Sequence, residues 1–509
     1  MRYRFFFFSL VLLILGTISC HRSSLVLQWD KIREYHQLLS GTSHAGEETR
    51  NVDFYLDFTV GLNVAFRDAN SRNFFDAVIN SMKISSIDFY KLANDSIALF
   101  ENTSKESLFT LLKDPNNYLK ADAPIDKALD MIVRNNTFSI LVTDGELWKK
   151  NEEENASSNP WARKTFADWL DKGNRIDFYI TDHLDAGKTK HLYYMIFIPK
   201  VSSSEKLPSD DISYFLKTDI NAKTLVFDNF SFRNDFYKLK QDYASIQSSG
   251  AAEELATDKQ SYINDFNNAY EYMDWALDWK SIIKYIRNAK DESTGNLVPG
   301  GKDLIGKIYL DAKNSELYHL ESIGLKVYDL FDDYSQFEFC KQCQAKPPVF
   351  KLDTKGNKEL DLNNNSMPII LERGLESCYD ENGNLLSERK YNGPKLKTIE
   401  ELFVLDQKLF NYSFGKDTVG EIDIKIHPNF NGTQLSADRE NFVRIDVIMT
   451  KCTPNTDNPK LKKFMWEGKR IPFNKGLYES IILAMKDANP EGKVIYSYYI
   501  KTLPNNYFE

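Results

Sequence analysis

Strand and helix patterns alternate along residues 51–200, and this alternation constrains the fold more than any other feature of the sequence. Apolar runs typical of buried strands, such as VDFYLDF and TFSILVTDG, are separated by helical patterns such as SRNFFDAVINSMK. Alternation of this kind is typical of a mostly parallel sheet with helices on its faces. We therefore predict an α/β domain over residues 51–200, with ligands expected at the carboxyl ends of its strands.

Polar residues stand where two of these strands end. Asp57, Thr59 and Gly61 occupy alternate positions directly after the apolar run FYL. In the later strand, the run ILV is followed by a TDG stretch that contains Asp144. Alternate residues of a strand share one face. The sequence therefore predicts a group of carboxylates and hydroxyls at one edge of the sheet.

The order and spacing of YLDFTVG, ADAPIDKALDMI and ILVTDG resemble a von Willebrand factor A domain. The resemblance covers residues 51 to about 200 and is closest around ILVTDG. It implies a Rossmann-like fold with a metal-ion-dependent adhesion site. In that family the site consists of an Asp-x-Ser-x-Ser motif, a Thr in a middle loop and the Asp of a TDG stretch. A partner's carboxylate can fill the open coordination position of the metal.

Three residues of this sequence match the family's metal ligands, and the resemblance implies Mg²⁺ or Mn²⁺ between them. Asp57 matches the first acid, Thr59 the first hydroxyl and Asp144 the last acid. Mg²⁺ prefers near-octahedral oxygen ligands and retains several waters. Carboxylates and a hydroxyl suit that preference.

The sequence also departs from the family's pattern. Gly61 stands in place of the second serine, and Ala123 stands in place of the middle-loop threonine. Asp122 lies beside Ala123 and is the candidate replacement donor. The implied site is therefore degenerate, and tight Mg²⁺ binding is not expected. The alternative is that Asp57 and Asp144 only cap adjacent loops at the edge of the sheet.

The first residues have the layout of a bacterial lipoprotein signal. Arg2 and Arg4 precede the apolar run FFFFSLVLLIL, and small residues lead up to Cys20. We predict a signal peptide over residues 1–19, a lipid on Cys20 and a helix-capable tether over residues 20–50. The alternative is an ordinary signal peptide that happens to contain a cysteine.

Length, charge and cysteine content limit the remaining possibilities. A chain of 509 residues is too long for one core, so we expect a multi-domain protein. A net charge of −9 gives no basic surface for nucleic acid. Outside the cytosol an even number of cysteines permits two disulfides, with metal or redox roles as alternatives. These cysteines are Cys340, Cys343, Cys378 and Cys452.

Beyond residue 200 the patterns change. Residues 201–290 predict strands first and then a helical connecting region, because YINDFNNAYEYMDWALDWKSIIKYI carries aromatic residues at near-helical spacing. Residues 291–509 predict one or more β-rich domains, with turn signals such as DENGN and a late helix at LYESIILAMKDA.

Motifs of catalysis are absent from the sequence. It contains no G-x-S-x-G nucleophile elbow and no H-E-x-x-H zinc helix. His183 and His191 flank a hairpin, where we expect surface residues. We therefore predict a protein without enzymatic activity. The alternatives are an envelope hydrolase with its active site in residues 291–509 and a structural component of a secretion or gliding assembly.

These observations predict a cell-envelope module that binds another protein or a surface glycan. The binding surface would be the strand-end rim that carries Asp57, Thr59, Asp122 and Asp144. Contact with the membrane would be through the lipid alone, at the outer membrane. We favour its periplasmic side, because the residues after Cys20 lack the acidic cluster linked with surface export in Bacteroidetes.

Overall fold

A computed structural model describes much of the chain. The described residues are 29–39, 52–84, 87–147, 159–200, 208–234, 256–265, 270–277, 303–311, 317–345, 350–352, 354–356, 358–360, 390–405, 419–427, 429–430, 432–436, 439–467 and 474–502. The predicted signal peptide, Cys20 and Cys378 lie outside these residues, so the expectations about them stay predictions.

The helices of the described residues begin and end at particular side chains. The carboxylate of Asp68 accepts a hydrogen bond from the N–H of Ser71, and the hydroxyl of Ser104 accepts one from Ser107, so both cap helices. Asn136 ends another helix with a left-handed φ of 53°. The helices are α1 (Trp29–Leu39), α2 (Val60–Arg67), α3 (Ala69–Ser81), α4 (Lys105–Lys113), α5 (Ile125–Asn135), α6 (Arg163–Asp171), α7 (Pro208–Thr218), α8 (Phe331–Ala345) and α9 (Gly476–Asp487).

The first sheet of the described chain has seven strands in the order β3-β2-β1-β4-β6-β5-β7. They are β1 (Val52–Asp57), β2 (Ile87–Ala93), β3 (Ser96–Thr103), β4 (Ser139–Thr143), β5 (Arg175–Asp185), β6 (Lys188–Ile198) and β7 (Asp228–Phe232). β1 is parallel to both of its neighbours, whereas the outer pairs are antiparallel. The predicted α/β class is confirmed, but the sheet is mixed and not mostly parallel.

Two of the antiparallel pairs, β2–β3 and β5–β6, occur where a short turn replaces a helix. β5 and β6 are joined by a turn in which Ala186 and Gly187 both have positive φ, 53° and 79°. Turns of this kind match the twist of a hairpin, so the second strand returns beside the first. β7 joins the same sheet beside β5. The predicted end of the first domain at residue 200 is therefore wrong, because this sheet continues to residue 232.

Helices cover both faces of the sheet. One face packs against α2, α3, α4 and α7, through buried residues that include Leu62, Phe74 and Ile212. The other face packs against α5 and α6, through residues such as Leu129 and Phe166. All residues of β1 are buried, as a central strand covered on both faces requires.

The later strands form the predicted β-rich region. A six-stranded sheet has the order β14-β11-β17-β18-β9-β8, a three-stranded sheet has the order β10-β16-β15, and β12 pairs with β13. The strands are β8 (Ala256–Asp265), β9 (Tyr270–Leu277), β10 (Asp303–Asp311), β11 (Tyr318–Asp329), β12 (Phe350–Leu352), β13 (Lys358–Leu360), β14 (Lys397–Thr398), β15 (Phe403–Leu405), β16 (Val419–Ile426), β17 (Asn441–Pro454) and β18 (Val494–Thr502).

The predicted helical connecting region is wrong in its described part. β8 and β9 form an antiparallel pair there, and β9 also lies parallel to β18. The edge of β18 supplies backbone hydrogen bonds that a local aromatic pattern cannot reveal, so tertiary pairing overrides the helical spacing. The strand-like prediction before it is also wrong at α7, which is a helix.

One buried apolar cluster connects the two large sheets. It contains residues of α5, α6 and the first sheet together with residues of β11, β17, β18 and α9. Phe178 of β5 packs edge-on against Phe464, with ring centroids 5.0 Å apart. Arg163 of α6 donates two hydrogen bonds to Asp487 of α9, at 2.6 and 2.8 Å. The α/β and β-rich regions therefore share a common core.

Residues Trp29–Leu39 form helix α1, as the sequence predicts, but this helix is not part of a free tether. Ile32 and Tyr35 are fully buried against Tyr334 of α8 and Phe442 of β17. The hydroxyl of Tyr35 donates a hydrogen bond to the carboxylate of Asp333, at 2.5 Å. The tether prediction is therefore wrong for residues 29–39, because their apolar side chains complete the core of the β-rich region.

Two of the predicted disulfide cysteines have described side chains. Cys452 is buried with a free thiol, and burial raises the pKa of that thiol to about 12, which makes it unreactive. Cys340 is buried on α8, where the side-chain amide of Gln336 donates a hydrogen bond to its sulfur at 3.1 Å. The predicted disulfide is not formed at Cys452.

Membrane contact through a spanning helix finds no support in the described residues. None of their helices is both long enough and apolar enough to cross a bilayer.

Shortening a buried apolar side chain of α1 should destabilise the β-rich region. We expect Ile32→Ala to lower the free energy of unfolding by about 2–5 kcal/mol, because it leaves a cavity at a fully buried site. The matched control is Leu38→Ala on the exposed side of the same helix, with little expected effect. Urea unfolding followed by tyrosine fluorescence measures both. Equal, small effects of the two variants would mean that α1 is a tether after all.

Candidate functional site

The candidate site lies where β1 and β4 end. These strands are parallel neighbours, with Leu56 opposite Val142, so the residues that follow them meet at one edge of the sheet. Asp57 ends β1 and Asp144 follows β4. The structure therefore brings together Asp57, Thr59 and Asp144, as the sequence predicts, and all three are buried.

Protein groups donate hydrogen bonds to both oxygens of Asp57 and to one oxygen of Asp144. Asp57 accepts one hydrogen bond from the N–H of Thr59 and one from the hydroxyl of Thr143, both at 2.9 Å. Asp144 accepts one from the N–H of Glu146 at 3.0 Å. The two carboxylates thus fix the backbone that leaves each strand.

Gly61 allows Asp144 to sit at this position. A β-carbon at Gly61 would lie 2.0 Å from Oδ2 of Asp144, closer than non-bonded atoms can approach. A serine at this position would therefore displace the Asp144 carboxylate. Gly61 is required by the close approach of an acidic side chain.

A buried lysine supplies positive charge to the site. Because β6 runs antiparallel to β4, the start of β6 lies near the end of β4, and this brings Lys190 into the site. Its ammonium lies 2.6 Å from Glu146 and 3.1 Å from Asp185. Burial alone would lower the pKa of Lys190, but the neighbouring carboxylates outweigh it and the pKa is raised. Lys190 therefore stays charged inside the protein.

Burial also shifts the two acids. It raises the pKa of Asp57 to about 6, although hydrogen bonds from Thr59 and Thr143 act in the opposite direction. It raises the pKa of Asp144 well above its usual value, and the negative charges of Glu146 and Asp57 raise it further. Both carboxyl groups are therefore protonated at a higher pH than exposed aspartates would be.

These residues do not fit the metal ion that the resemblance implies. Both oxygens of Asp57 are used by protein donors, Asp144 fills the space beside Gly61, and Lys190 provides the cation. Among the described residues no group of three or more histidine, cysteine or acidic side chains could hold a metal. We therefore assign no role to Mg²⁺ or Mn²⁺ here.

The exposed part of this edge is a rim beside the acids. The backbones of Thr59 and Lys120 form an isolated β-bridge. The N–H of Val60 donates a hydrogen bond to the carbonyl of Lys120 at 2.9 Å. The side chains of Val60 and Leu119 are 51% and 69% exposed. Beneath them the rings of Phe58 and Tyr118 stack at 4.9 Å. We call the surface of Val60, Leu119 and Lys120 the apolar rim.

The middle loop contributes less than predicted. Asp122 is half-buried, and its backbone carbonyl accepts a hydrogen bond from the N–H of Asn94 at 2.8 Å. Ala123, at the position of the family's threonine, is buried. This loop supports the apolar rim through its backbone.

The opposite side of the edge is covered by the β-rich region. A β-carbon at Gly145 would lie 3.3 Å from the ring of Trp466, and the hydroxyl of Tyr193 donates to the carbonyl of Lys463 at 2.7 Å. The ammonium of Lys463 also lies 2.9 Å from both Asp182 and Asp228. Among the described residues of this edge, Val60 and Leu119 on the β1 side keep their apolar side chains exposed.

Sequence reasoning missed several buried polar residues of this region. His183 and His191 are buried, so the surface prediction for them is wrong. Nδ1 of His191 lies 2.8 Å from the carboxylate of Asp182. Burial acts to raise the pKa of Asp182, but hydrogen bonds from His191 and Lys463 lower it to about 2. The available signal was Lys190 beside His191 in an otherwise apolar strand, because buried charges require partners.

Comparison with known proteins does not extend this assignment. No protein-family model, curated protein or solved structure matches the chain. The resemblance to a von Willebrand factor A domain therefore stays a prediction that rests on the quoted segments.

A methyl group at Gly61 tests whether Asp144 occupies its space. We expect Gly61→Ala to reduce the free energy of unfolding by about 1–3 kcal/mol, because the new β-carbon meets the Asp144 carboxylate. In an Asp144→Ala background the same change should be neutral or stabilising, because alanine is a better helix former than glycine. Denaturant unfolding of the four proteins measures the coupling. Equal effects in both backgrounds would contradict the contact.

The protonation of Asp57 should make stability depend on pH. Because its pKa is near 4 in the unfolded chain and about 6 in the fold, its contribution is complete below about pH 4 and is lost as the pH rises through about 6. Relative to Asp57→Asn, the wild type should lose on the order of 2 kcal/mol between these values. Chemical denaturation in metal-free buffer measures this, and exposed Asp95→Asn serves as the control. A difference that is constant with pH would contradict the shift.

Proposed function

We propose that this chain is a non-catalytic, protein-binding or scaffold module of the bacterial cell envelope, held at the outer membrane by a lipid on Cys20. The observation that carries the proposal is the apolar rim. Val60 begins α2 and Leu119 lies in the segment before α5; both are largely exposed, and a backbone hydrogen bond from Val60 to Lys120 joins the two segments. Contiguous apolar patches rimmed by polar residues are typical of interaction surfaces, and we propose that Val60 and Leu119 form the centre of such a patch.

Recognition at this edge would use the apolar rim and not the acids. Asp57 and Asp144 are buried, and Lys190 compensates negative charge within the protein. A partner that entered the site would have to displace these internal contacts. Contact with Val60 and Leu119 requires no such change, and Lys120 beside them adds a positive charge for orientation.

A protein partner is better supported than a surface glycan. Valine and leucine offer apolar area but no side-chain hydrogen bonds, whereas sugars are recognised mainly through their hydroxyl groups. The cores of protein interfaces are apolar and surrounded by polar groups. The apolar rim, with Lys120 and half-buried Asp122 near it, has this composition.

The docked helix α1 supports a short connection to the membrane. Cys20 precedes Trp29 by nine positions, which span at most about 32 Å when fully extended. Because α1 packs on the β-rich region, a lipid on Cys20 would hold that region near the bilayer.

The alternative of an envelope hydrolase in the C-terminal half receives less support. A cavity of about 470 Å³ lies between β11 and β15, but Glu400 and Glu401 at its border are exposed. Buried acids elsewhere have internal partners, such as Asp446 with Arg444 at 2.5 Å. A catalytic acid pair would face an enclosed pocket instead.

Charge placed on the apolar rim should abolish partner binding. We expect Val60→Asp/Leu119→Asp to reduce recovery of the cross-linked partner at least tenfold, because two carboxylates replace the apolar contact and one neighbouring lysine cannot pair with both when they are buried. The measurement is chemical cross-linking in the producing cells, purification of the protein and quantitative mass spectrometry.

The matched control is Ile220→Asp, which changes an 81% exposed side chain elsewhere. Partners that are retained by the control and lost from the rim variant support the proposal. Partners that are retained by all proteins would move the binding surface elsewhere. Recovery of no partner from the wild type would overturn the binding function.

A further inference from the structure

A buried histidine without a hydrogen-bond partner lies on the β5–β6 hairpin. His183 is 4% exposed, and its Nδ1 atom has no partner among the described residues. It stands on β5 directly opposite Lys190 of β6, in the part of the hairpin that continues past the end of β4. Opposite residues of an antiparallel pair present their side chains on the same face. A cationic side chain is therefore the cross-strand neighbour of this imidazole.

The same face of the hairpin holds the start of α3. The hydroxyls of Thr181 and Ser71 are 2.9 Å apart, and the hydroxyl of Tyr194 donates a hydrogen bond to the carbonyl of Ser71, also at 2.9 Å. Thr181 and His183 are two residues apart on β5, so they share this face. α2 also contacts both strands of the hairpin. His183 therefore lies where the two helices pack on β5 and β6.

One residue connects these two helices. Asp68 directly follows α2 and directly precedes α3. Its carboxylate accepts a hydrogen bond from the N–H of Ser71 at 2.8 Å, which caps α3. Its backbone N–H donates a hydrogen bond to the carbonyl of Ala65, which ends α2. A change in the contacts of Asp68 therefore affects both helices.

The charged groups that act on His183 come from each element of this packing. Asp185 is on β5, Lys190 is on β6, Asp68 joins the two helices, and His191 is on the opposite face of β6. Burial lowers the pKa of His183, and the positive charges of Lys190 and His191 lower it further, whereas Asp185 and Asp68 act in the opposite direction. The pKa is lowered on balance, so the ring is neutral at neutral pH.

Both acids beside His183 already have partners. Asp185 lies 3.1 Å from the ammonium of Lys190, and Asp68 accepts the capping hydrogen bond of α3. Glu146, in the segment after β4, is also paired with Lys190, at 2.6 Å. In the protonated ring both nitrogens are donors, so the buried Nδ1 would carry an N–H that requires an acceptor. Protonation therefore has to take an acid from Lys190 or from the α3 cap, or open the packing to water.

We propose that His183 is a pH-sensitive contact whose protonation loosens α2 and the α2–α3 junction from the β5–β6 hairpin. Histidine is the side chain whose ordinary charge change falls between about pH 5 and 8. Because Val60 begins α2, the same change would displace one side of the apolar rim. This consequence for binding rests on the proposed function of the rim, whereas the loosening of α2 does not.

The direction of the effect distinguishes His183 from a neighbouring acid. Because the pKa of His183 is lower in the fold than in the unfolded chain, the fold loses stability as the pH falls below about 6.5 and through the pKa of the folded ring. Asp57 has the opposite sign, since its pKa is raised in the fold and its contribution is complete at low pH. Loosening of α2 in acid is therefore not the effect expected from protonation of Asp57.

Hydrogen–deuterium exchange of the mature chain is the first test. Rates are measured from about pH 7.5 to about pH 4.5 and corrected for the intrinsic effect of pH on exchange. We expect residues 60–72 of the wild type to exchange at least about fivefold faster at the acidic end, because local opening exposes their amides. Helix α5, on the other face of the sheet, should not respond. An unchanged rate for residues 60–72 would overturn the proposal.

A substitution of the histidine assigns the response. His183→Gln keeps a polar side chain but takes up no proton, so its residues 60–72 should exchange at the same corrected rate at every pH. The matched control is His319→Gln, which removes an exposed histidine of the β-rich region and should retain the wild-type response. A response that persists in His183→Gln would belong to another group, and the proposal would fall.

The titration of the wild-type ring decides the matter even if His183→Gln does not fold. Deuterium exchange at the C2 position of the imidazole, followed by mass spectrometry, gives the pKa of a single histidine. Trypsin cleaves after Lys188 and Lys190, which places His183 and His191 on separate peptides. We expect His183 to titrate below about 6.5, over the same pH range as the response of residues 60–72. Titration at a higher pH would show that an acid already pairs with the ring and would contradict the proposal.

Partner capture at the two ends of the pH range separates the switch from the function of the rim. Loosening of α2 together with at least fivefold lower recovery of the cross-linked partner would support control of the rim by His183. Loosening with unchanged recovery would overturn that control. Capture of no partner at either pH would contradict the function of the rim, while the response of α2 in hydrogen exchange would still support the switch.

Discussion

The shared apolar core is the constraint on which the rest of the structure depends. One face of the first sheet and one face of the six-stranded sheet bury the same cluster, in which Phe178 and Tyr193 pack against Phe464. Because a sheet must bury its apolar face, neither region is complete without the other. The packing also covers one side of the strand-end edge and leaves Val60 and Leu119 open on the other. The position of the apolar rim thus follows from how the two sheets pack.

The strand-end site shows how buried acids can be held without a metal. Asp57 and Asp144 lie at the carboxyl ends of β1 and β4, where both oxygens of Asp57 and one oxygen of Asp144 accept hydrogen bonds from the chain itself. Lys190 supplies the positive charge at a fixed position. Isolated charges are costly inside a protein, so raised carboxyl pKa values and a paired lysine are the expected compensations. A site of this kind stabilises two loops and needs no cofactor for that purpose.

Helix α1 changes how the module would be presented at a membrane. A free tether would allow every orientation, whereas Tyr35 bonded to Asp333 fixes residues 29–39 to the β-rich region. Helix α1 and the apolar rim then lie on different parts of the fold. α1 packs on the β-rich region, and the apolar rim lies at the end of the first sheet.

The sequence by itself determined the α/β class, most helices and strands of residues 51–200, the β-rich later region and the meeting of Asp57, Thr59 and Asp144. These depend on local periodicity and on neighbouring parallel strands, which a sequence carries directly. Only the tertiary structure decided that β9 is a strand beside β18, that α1 is buried, and that Lys190 reaches Glu146. Each of these depends on a partner distant in the chain, and local patterns contain no information about which distant edge, core or charge a segment will meet.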